Sequence, residues 1–222
     1  MFAHLCRIFK CSAEMYDFID FKLPHFQFAL LKSDSFDFEA TELFQQEIEL
    51  LNIRSNLKRK IEFLGVRHLR NQLNIKSPIL YHHSGRPYFS ALEKALSISH
   101  TNEYIALSCA AFPIGIDIEQ KDRDATKIIN KFAVEDEKNL CADQPKEWHL
   151  QLWCAKEAIY KLLGLENLSF KNEIHIHSRQ KKEETTFLGA IVHQGTQKHE
   201  VEVQIRDTIN LQMAVAYFKV AL

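Results

Sequence analysis

A carboxylate between two lysines occurs in the segment 153–161, which reads Trp-Cys-Ala-Lys-Glu-Ala-Ile-Tyr-Lys. Its Ala, Lys and Glu residues are strong helix formers. In a helix, Trp153, Glu157 and Lys161 lie on one side because they are spaced by four, and Lys156 lies on the neighbouring strip. A carboxylate flanked by ammonium groups could bind a metal ion beside a phosphate. The same pattern is also typical of an ordinary Glu–Lys pair on a solvated face.

Two further carboxylates occur in the segment 114–119, which reads Ile-Gly-Ile-Asp-Ile-Glu and alternates like a β-strand. The three isoleucines lie on one face, and Gly115, Asp117 and Glu119 lie on the other. Carboxylates two residues apart on one face are about 7 Å apart and repel each other. Mg²⁺ prefers oxygen ligands of this kind. The alternative is a solvent-facing edge with two incidental acids.

The elements that must position these residues form two similar series. The hydrophobic periodicity predicts helices from Thr41, over 56–73 and over 148–163, the last ending at Gly164. The predicted strands are 2–9, 26–31, 79–82, 104–110, 114–119, 170–177, 186–193, 200–205 and 211–220. A hairpin turn is predicted at Gly195-Thr196. In each series helices precede strands, so we expect an α+β fold with two halves, residues 1–112 and 113–222.

Composition excludes several classes of protein. The 222 residues include 28 Lys+Arg and 29 Asp+Glu, so the net charge of -1 gives no global attraction for nucleic acid. The five cysteines form no Cys-x-x-Cys pair, which favours a reducing cytoplasm over a disulfide framework. The sequence has no signal peptide, no apolar run of about 18 residues and no glycine-rich phosphate loop. We therefore expect a cytoplasmic protein without nucleic-acid or membrane partners.

Three other places offer groups that bind anions. The turn 84–89 presents Arg86, and the polar run Ser97-Ile-Ser-His-Thr101 precedes the apolar strand 104–110. Hydroxyls, an imidazole and backbone N–H groups at a strand edge suit phosphate binding. In the helix 56–73 the basic residues suit a solvated face, and Arg67 or a neighbour is the candidate for an anion contact.

Two catalytic or metal-binding alternatives are weaker. The Ser99-His100 pair invites a hydrolase interpretation, but the chain has no G-x-S-x-G nucleophile elbow. Histidines scattered over the C-terminal strands could form a zinc site, although histidines that alternate along strands are more often surface residues. They are His175, His177, His193 and His199.

With the segments 115–119 and 153–161 about 35 residues apart, the chain resembles a 4′-phosphopantetheinyl transferase. It is more similar to the monomeric, surfactin-synthetase-activating type than to the short trimeric holo-acyl-carrier-protein synthase type. The paired G-[IV]-D-[IV]-E and W-x-x-K-E-A-x-x-K motifs are specific together, and each is weak alone. Four further places fit the family pattern: Gly85 to Tyr88, Ser97 to Thr101, Phe132 to Asp136 and Arg59 to Arg70.

This resemblance implies two pseudo-symmetric α/β halves packed together, with coenzyme A bound at their junction. It implies Mg²⁺-dependent transfer of 4′-phosphopantetheine, with Mn²⁺ as an alternative ion, to a serine of an acyl or peptidyl carrier protein, releasing 3′,5′-ADP. The implied metal ligands are Asp117, Glu119 and Glu157. The lysines Lys156 and Lys161 would bind diphosphate oxygens.

The resemblance also implies roles outside the metal ligands. Glu157 and Lys161 would be catalytic, and either Glu157 or a metal-bound water would take the serine proton. Arg86, Ser99 and His100 would hold the nucleotide of coenzyme A. At Arg86 the family usually has lysine, so the charge is kept while its geometry changes. Asp136 stands where the family often has glutamate, which leaves its role open.

Two other functions fit part of this pattern. The first is a catalytically silent homologue that binds only carrier protein or nucleotide; intact Asp117, Glu157 and Lys161 argue against it. The second is an unrelated Mg²⁺-dependent phosphoryl-transfer enzyme, which would have to work without a standard phosphate loop. The pathway of the carrier protein is not specified by the sequence.

Overall fold

A computed structural model describes residues 16–18, 21 and 23–219. The chain divides into two compact units, Met1–Ala111 and Phe112–Leu222. This division lies one residue before the boundary that we predicted. Each unit combines helices with an antiparallel sheet, so the α+β class is confirmed. The strand predicted over 2–9 lies outside the described residues.

The first unit has a four-stranded antiparallel sheet and two helices. Its elements are β1 (Tyr16–Phe18), β2 (Phe26–Lys32), α1 (Gln45–Asn52), α2 (Leu57–Gln72), β3 (Ile79–Tyr81), β4 (Pro87–Phe89), β5 (Ala95–His100) and β6 (Tyr104–Ala110). The sheet order is β1-β2-β6-β5, and β3 pairs with β4 in a separate hairpin. The side chain of Asn56 caps α2 by accepting the N–H of Arg59. The buried face of α2 packs on the sheet through residues such as Leu64 and Leu69.

The second unit has a five-stranded antiparallel sheet and one long helix. Its elements are β7 (Ile114–Gln120), a 3₁₀ turn (Ala125–Ile128), α3 (Ile129–Phe132), α4 (Glu135–Asn139), α5 (Pro145–Leu163), β8 (Ile174–Lys182), β9 (Thr185–Gln194), β10 (Gln197–Asp207) and β11 (Leu211–Phe218). The sheet order is β7-β11-β10-β9-β8. Helix α5 begins at Pro145, which suits the first helical turn. It ends at Gly164, whose φ of 62° lies in the left-handed region.

The connectivity of the first unit recurs in the second. In the first, β2 is followed by α1 and α2, and β6 later inserts between β2 and β5. In the second, β7 is followed by α4 and α5, and β11 later inserts between β7 and β10. The sequence alone gave no visible self-similarity, because the repeat is one of topology rather than of residues.

Most predicted elements agree with the structure, and one prediction needs correction. The polar run 97–101 was assigned to no element, and the structure places Ser97–His100 in β5, paired with β6. The turn at 84–89 is shorter than expected, since Pro87 already starts β4. The hairpin turn at Gly195-Thr196 is confirmed between β9 and β10. In the described part of the chain, no helix has both the length and the apolar character needed to cross a membrane.

Helix α5 and strand β7 approach each other more closely than a side chain at Gly115 would permit. A Cβ atom added at Gly115 would lie 2.0 Å from the carbonyl oxygen of Ala158 and 2.3 Å from the backbone nitrogen of Leu162. The Sγ of Cys154 also donates to the carbonyl oxygen of Asp117 at 3.4 Å. Glycine at position 115 is therefore required for the spacing between this helix and this strand.

The substitution Gly115→Ala should lower the free energy of unfolding by at least about 2 kcal/mol, because backbone atoms of α5 would have to move. Urea denaturation followed by circular dichroism measures this change. Gly195→Ala is the matched control. No atom lies within 4 Å of the added Cβ, so the only expected destabilisation is that of an alanine at a φ of 57°, about 1 kcal/mol. Equal destabilisation by the two substitutions would contradict the close approach at Gly115.

Candidate active site

The carboxylates of β7 face the helix α5, as the alternation of the strand predicted. Asp117 accepts a hydrogen bond from the ammonium of Lys161 at 2.7 Å. Glu119 accepts one from the indole N–H of Trp153, also at 2.7 Å. The side of α5 that carries Trp153, Glu157 and Lys161 therefore lies along Asp117 and Glu119. Asp117 is 4% exposed, so a solvent-facing edge with incidental acids does not describe it.

Glu157 lies between Trp153 and Lys161 on this side of the helix and has the most perturbed acidity in the site. Burial raises its pKa from 4.5 to about 7, and the negative charges of Asp117 and Glu119 add to the rise. The positive charge of Lys161 opposes it. A carboxyl group with this pKa gains or loses its proton near neutral pH.

Arg123 is a further charged residue of the site. Its Nη1–H donates to Oε1 of Glu119, and its guanidinium carbon lies 4.8 Å from the centroid of the Trp153 ring. Burial raises the pKa of Glu119, as does the charge of Asp117, whereas the hydrogen bonds from Arg123 and Trp153 lower it. Glu119 thus remains a net weaker acid than an exposed glutamate.

The carboxylates Asp117, Glu119 and Glu157 are suitable ligands for a divalent cation, although their oxygens do not converge on one point. Among residues 16–18, 21 and 23–219, no three His, Cys, Asp or Glu side chains are arranged to hold a metal ion. However, the charge of Asp117 raises the pKa of Glu119, and the charges of Asp117 and Glu119 both raise the pKa of Glu157, so the three carboxylates are electrostatically coupled. Oxygen ligands with this unbalanced charge are those that Mg²⁺ and Mn²⁺ prefer.

Lys156 contradicts the expectation that it binds the coenzyme diphosphate. It is fully buried, on the strip of α5 next to the one that carries the carboxylate cluster. Its ammonium lies 2.8 Å from Glu137 Oε2 and from three carbonyl oxygens, those of Phe132, Phe170 and Ile174, and its three N–H groups are shared among these four acceptors. These oxygens surround the ammonium, so Lys156 is a structural residue and not a ligand of the diphosphate.

The partner of Lys156 is an acid that sequence analysis overlooked. Glu137 is 1% exposed; its Oε2 accepts the N–H of Val134 at 2.9 Å and its Oε1 accepts that of Ile176 at 2.8 Å. It therefore holds the start of α4, the helix α5 and strand β8 together. The sequence-based interpretation considered Asp136 instead, because it compared motif positions and could not see which acid turns inward. The capping spacing between Val134 and Glu137 was the available signal.

The first unit has an equivalent buried acid, which overturns the proposed role of Arg67. Glu47 is fully buried and accepts the N–H of Phe44 at 3.1 Å and that of Ile79 at 2.9 Å. Arg67 and Arg70, from α2, both form ion pairs with it. Arg67 is 0% exposed and also donates to the carbonyl of Ile79. It therefore cannot be the anion-binding residue that the basic helix suggested.

The three residues expected to hold the nucleotide all lie in the first unit. Arg86 is exposed in the turn between β3 and β4. Ser99 and His100 are neighbours on β5, and they differ in environment: Ser99 is buried, whereas His100 is exposed and its Nδ1 lies 3.5 Å from Glu62. Nothing in these contacts tests coenzyme binding, so their role stays a prediction from the resemblance.

The contacts of the C-terminal histidines give the zinc alternative no support. The rings of His175 and His193 lie 5.7 Å apart, and His175 Nε2 is 2.9 Å from the carbonyl oxygen of Asn172. Within the described residues these histidines do not form a group of three metal ligands.

Comparison with protein families agrees with the site. Residues 113–216 match the model of the 4′-phosphopantetheinyl transferase superfamily. The matched segment spans nearly all of the second unit and includes β7 and α5, which carry the carboxylate cluster. This segment is similar to the superfamily expected from the two motifs, and the similarity supports a transferase function. A search of curated proteins found no match.

The substitution Lys156→Met should lower the free energy of unfolding by about 3–5 kcal/mol, because it leaves Glu137 buried without its counter-charge. Chemical denaturation of the two variants checks this. Lys146→Met is the matched control, since Lys146 is exposed on the same helix and should change stability by less than about 0.5 kcal/mol. A stable Lys156→Met variant that has lost only coenzyme binding would restore the diphosphate role.

Proposed function

We propose that this protein transfers 4′-phosphopantetheine from coenzyme A to a serine of an acyl or peptidyl carrier protein, with Mg²⁺ or Mn²⁺ as the metal ion. The observation that supports this proposal most is the partly buried cluster of Asp117, Glu119 and Glu157 beside Lys161, within the segment that matches the superfamily. The surfactin-synthetase-activating subtype and a monomeric state belong to the same proposal.

Asp117, Glu119 and Glu157 would hold the metal ion. When bound, the ion neutralises charge on the diphosphate and orients its phosphorus for in-line attack. Lys161, which is 28% exposed at its side chain, remains the ammonium group beside the cluster that can reach a diphosphate oxygen. It would stabilise the negative charge that develops on the departing 3′,5′-ADP.

The reaction itself is a phosphoryl-type displacement. The serine oxygen of the carrier protein attacks the phosphorus that bears pantetheine, and the bond from that phosphorus to the bridging oxygen breaks. The bond electrons leave with 3′,5′-ADP. We propose Glu157 as the acceptor of the serine proton, because it is a carboxylate of this cluster that is only partly buried and that a substrate hydroxyl can reach.

The cellular setting follows from the thiols and is also a proposal. Cys109, Cys141 and Cys154 are free and buried, and burial raises the pKa of each thiol. Such thiols persist in a reducing compartment, so we propose the cytoplasm.

Glu157→Gln should reduce transfer by at least about 10³-fold while the fold is retained, because the shape is kept and the charge and basicity are lost. The assay is mass spectrometry of an apo carrier protein incubated with the protein, coenzyme A and Mg²⁺, with EDTA as a control. The carrier should gain one phosphopantetheine unit. Glu166→Gln is the matched variant, since Glu166 is exposed beyond the end of α5 and its replacement should leave transfer unchanged.

Near-full turnover by Glu157→Gln would remove the mechanism. Absence of transfer to every carrier type by the unmodified protein would instead favour the silent homologue, and calorimetry with coenzyme A would then show whether nucleotide binding survives.

Metal binding should weaken below about pH 7, because protonation of Glu157 removes an anionic ligand. The sign follows from the raised pKa: the carboxyl group is mostly ionised above pH 7 and mostly protonated below it. Mn²⁺ affinity, followed by electron paramagnetic resonance of the free ion, should fall up to about tenfold per pH unit between pH 7 and 5.5. Glu157→Gln should bind weakly with a flatter profile. An affinity that is constant from pH 5.5 to 8 would contradict this role of Glu157.

A further inference from the structure

We propose that Arg123 is a built-in counter-ion of the carboxylate cluster and that it competes with a divalent cation for Oε1 of Glu119. This inference rests on the proposed function, because it concerns the same metal site. Neither sequence motif includes Arg123, which lies in the turn after β7. That turn bends back through a hydrogen bond from the N–H of Arg123 to the carbonyl of Gln120.

The hydrogen bonds of Glu119 define the competition. One carboxylate oxygen, Oε1, accepts both the Nη1–H of Arg123 and the Nε1–H of Trp153. A carboxylate oxygen has two lone pairs, so both are engaged at this atom. A metal ion that coordinates this oxygen must therefore replace one of the two donors.

Arg123 is the donor that can leave. The indole of Trp153 is fixed by packing against Phe132 and Phe170, at centroid distances of 5.1 and 5.8 Å. The side chain of Arg123, in contrast, is 40% exposed and has water on its outer side. The guanidinium can move outward without opening the core, whereas the indole cannot.

Charge also favours this exchange. Arg123 interacts with Glu119, Asp117 and Glu157, and these interactions outweigh burial and raise its pKa. When all three carboxylates are ionised and face Lys161 alone, the cluster has a formal charge of minus two, which one divalent cation balances. With Arg123 also in place, the charge is only minus one. The guanidinium thus stabilises the cluster in the absence of metal and repels an incoming cation.

The contact between Arg123 and Glu119 explains why the three carboxylates do not converge on one point. In the described part of the chain, the three carboxylates are electrostatically coupled but are not arranged as a metal site. Glu119 is held by Arg123 and Trp153, while Asp117 is held by Lys161. Release of Arg123 frees one oxygen of Glu119 to turn toward the other ligands.

The test measures Mn²⁺ affinity of the full chain by calorimetry and by electron paramagnetic resonance, without coenzyme or carrier protein. Arg123→Gln should bind Mn²⁺ about five- to tenfold more tightly than the unmodified protein, because it removes one competing cation. Arg123→Lys keeps the charge and should stay within about twofold. Lys127→Gln removes an exposed positive charge from the same segment and should also stay within about twofold.

A spectroscopic readout accompanies the affinities. In the unmodified protein, Mn²⁺ or Mg²⁺ should change the fluorescence of Trp153, because the guanidinium leaves the face of its ring. In Arg123→Gln the metal-dependent change should be smaller, since no guanidinium is there to leave.

The outcomes separate this inference from the proposed function. Unchanged or weaker Mn²⁺ binding by Arg123→Gln, together with saturable binding by the unmodified protein that Glu119→Gln weakens, overturns the counter-ion role and leaves the metal site intact. A merely structural role of Arg123 gives this result, since loss of structure lowers affinity. Absence of Mn²⁺ binding by both the unmodified protein and Arg123→Gln overturns the metal site and the inference together.

Discussion

The close contact between strand β7 and helix α5 is the constraint on which the second unit depends. Glycine at position 115 lets the backbone of the helix rest against the strand near Ala158 and Leu162. Because the two elements are so near, the side chains that follow Gly115 on the same face of β7 contact side chains of α5. Asp117 and Glu119 thereby come within hydrogen-bonding distance of Lys161 and Trp153. Gly115 thus permits the close approach of the helix that brings the carboxylates of the same motif to Lys161 and Trp153.

A second constraint, the buried ion pair between Lys156 and Glu137, fixes the orientation of α5. Glu137 joins Lys156 to the start of α4 and to β8, and Glu47 does the same in the first unit with Arg67 and Arg70. A buried ion pair contributes less to stability than its Coulomb attraction suggests, because both charges lose hydration. Its effect here is directional: an ammonium surrounded by oxygen acceptors allows only one rotation of the helix about its axis. That rotation turns Glu157 and Lys161 toward β7.

The sequence alone predicted most helices and strands of the second unit, but it did not predict the roles of several charged residues. Alternation predicted β7 and its acidic face, and the spacing by four predicted which residues of α5 share a side, because both are local properties of backbone geometry. The assignment of Lys156 failed because a lysine next to Glu157 in the sequence can point to solvent or to the core, and only tertiary contacts decide. Arg123 was missed for a related reason: its approach to Glu119 depends on a turn whose path no periodicity encodes. Ser99 was assigned to no element, and pairing with β6 places it in a strand.

The electrostatics of the site follow from these two constraints. Helix and strand are held so close that three carboxylates share a small, partly dehydrated space, and this raises the pKa values of Glu119 and Glu157. Two cations from different elements, Lys161 and Arg123, reduce the repulsion without removing it. The packing around Gly115 and Lys156 stabilises this arrangement of like charges against their repulsion. The cations that reduce the repulsion, in contrast, are partly exposed. The fixed ion pair of Lys156 thus lies in the core, whereas the ion pairs of Lys161 and Arg123 lie nearer the surface, beside a neighbouring strip of the same helix.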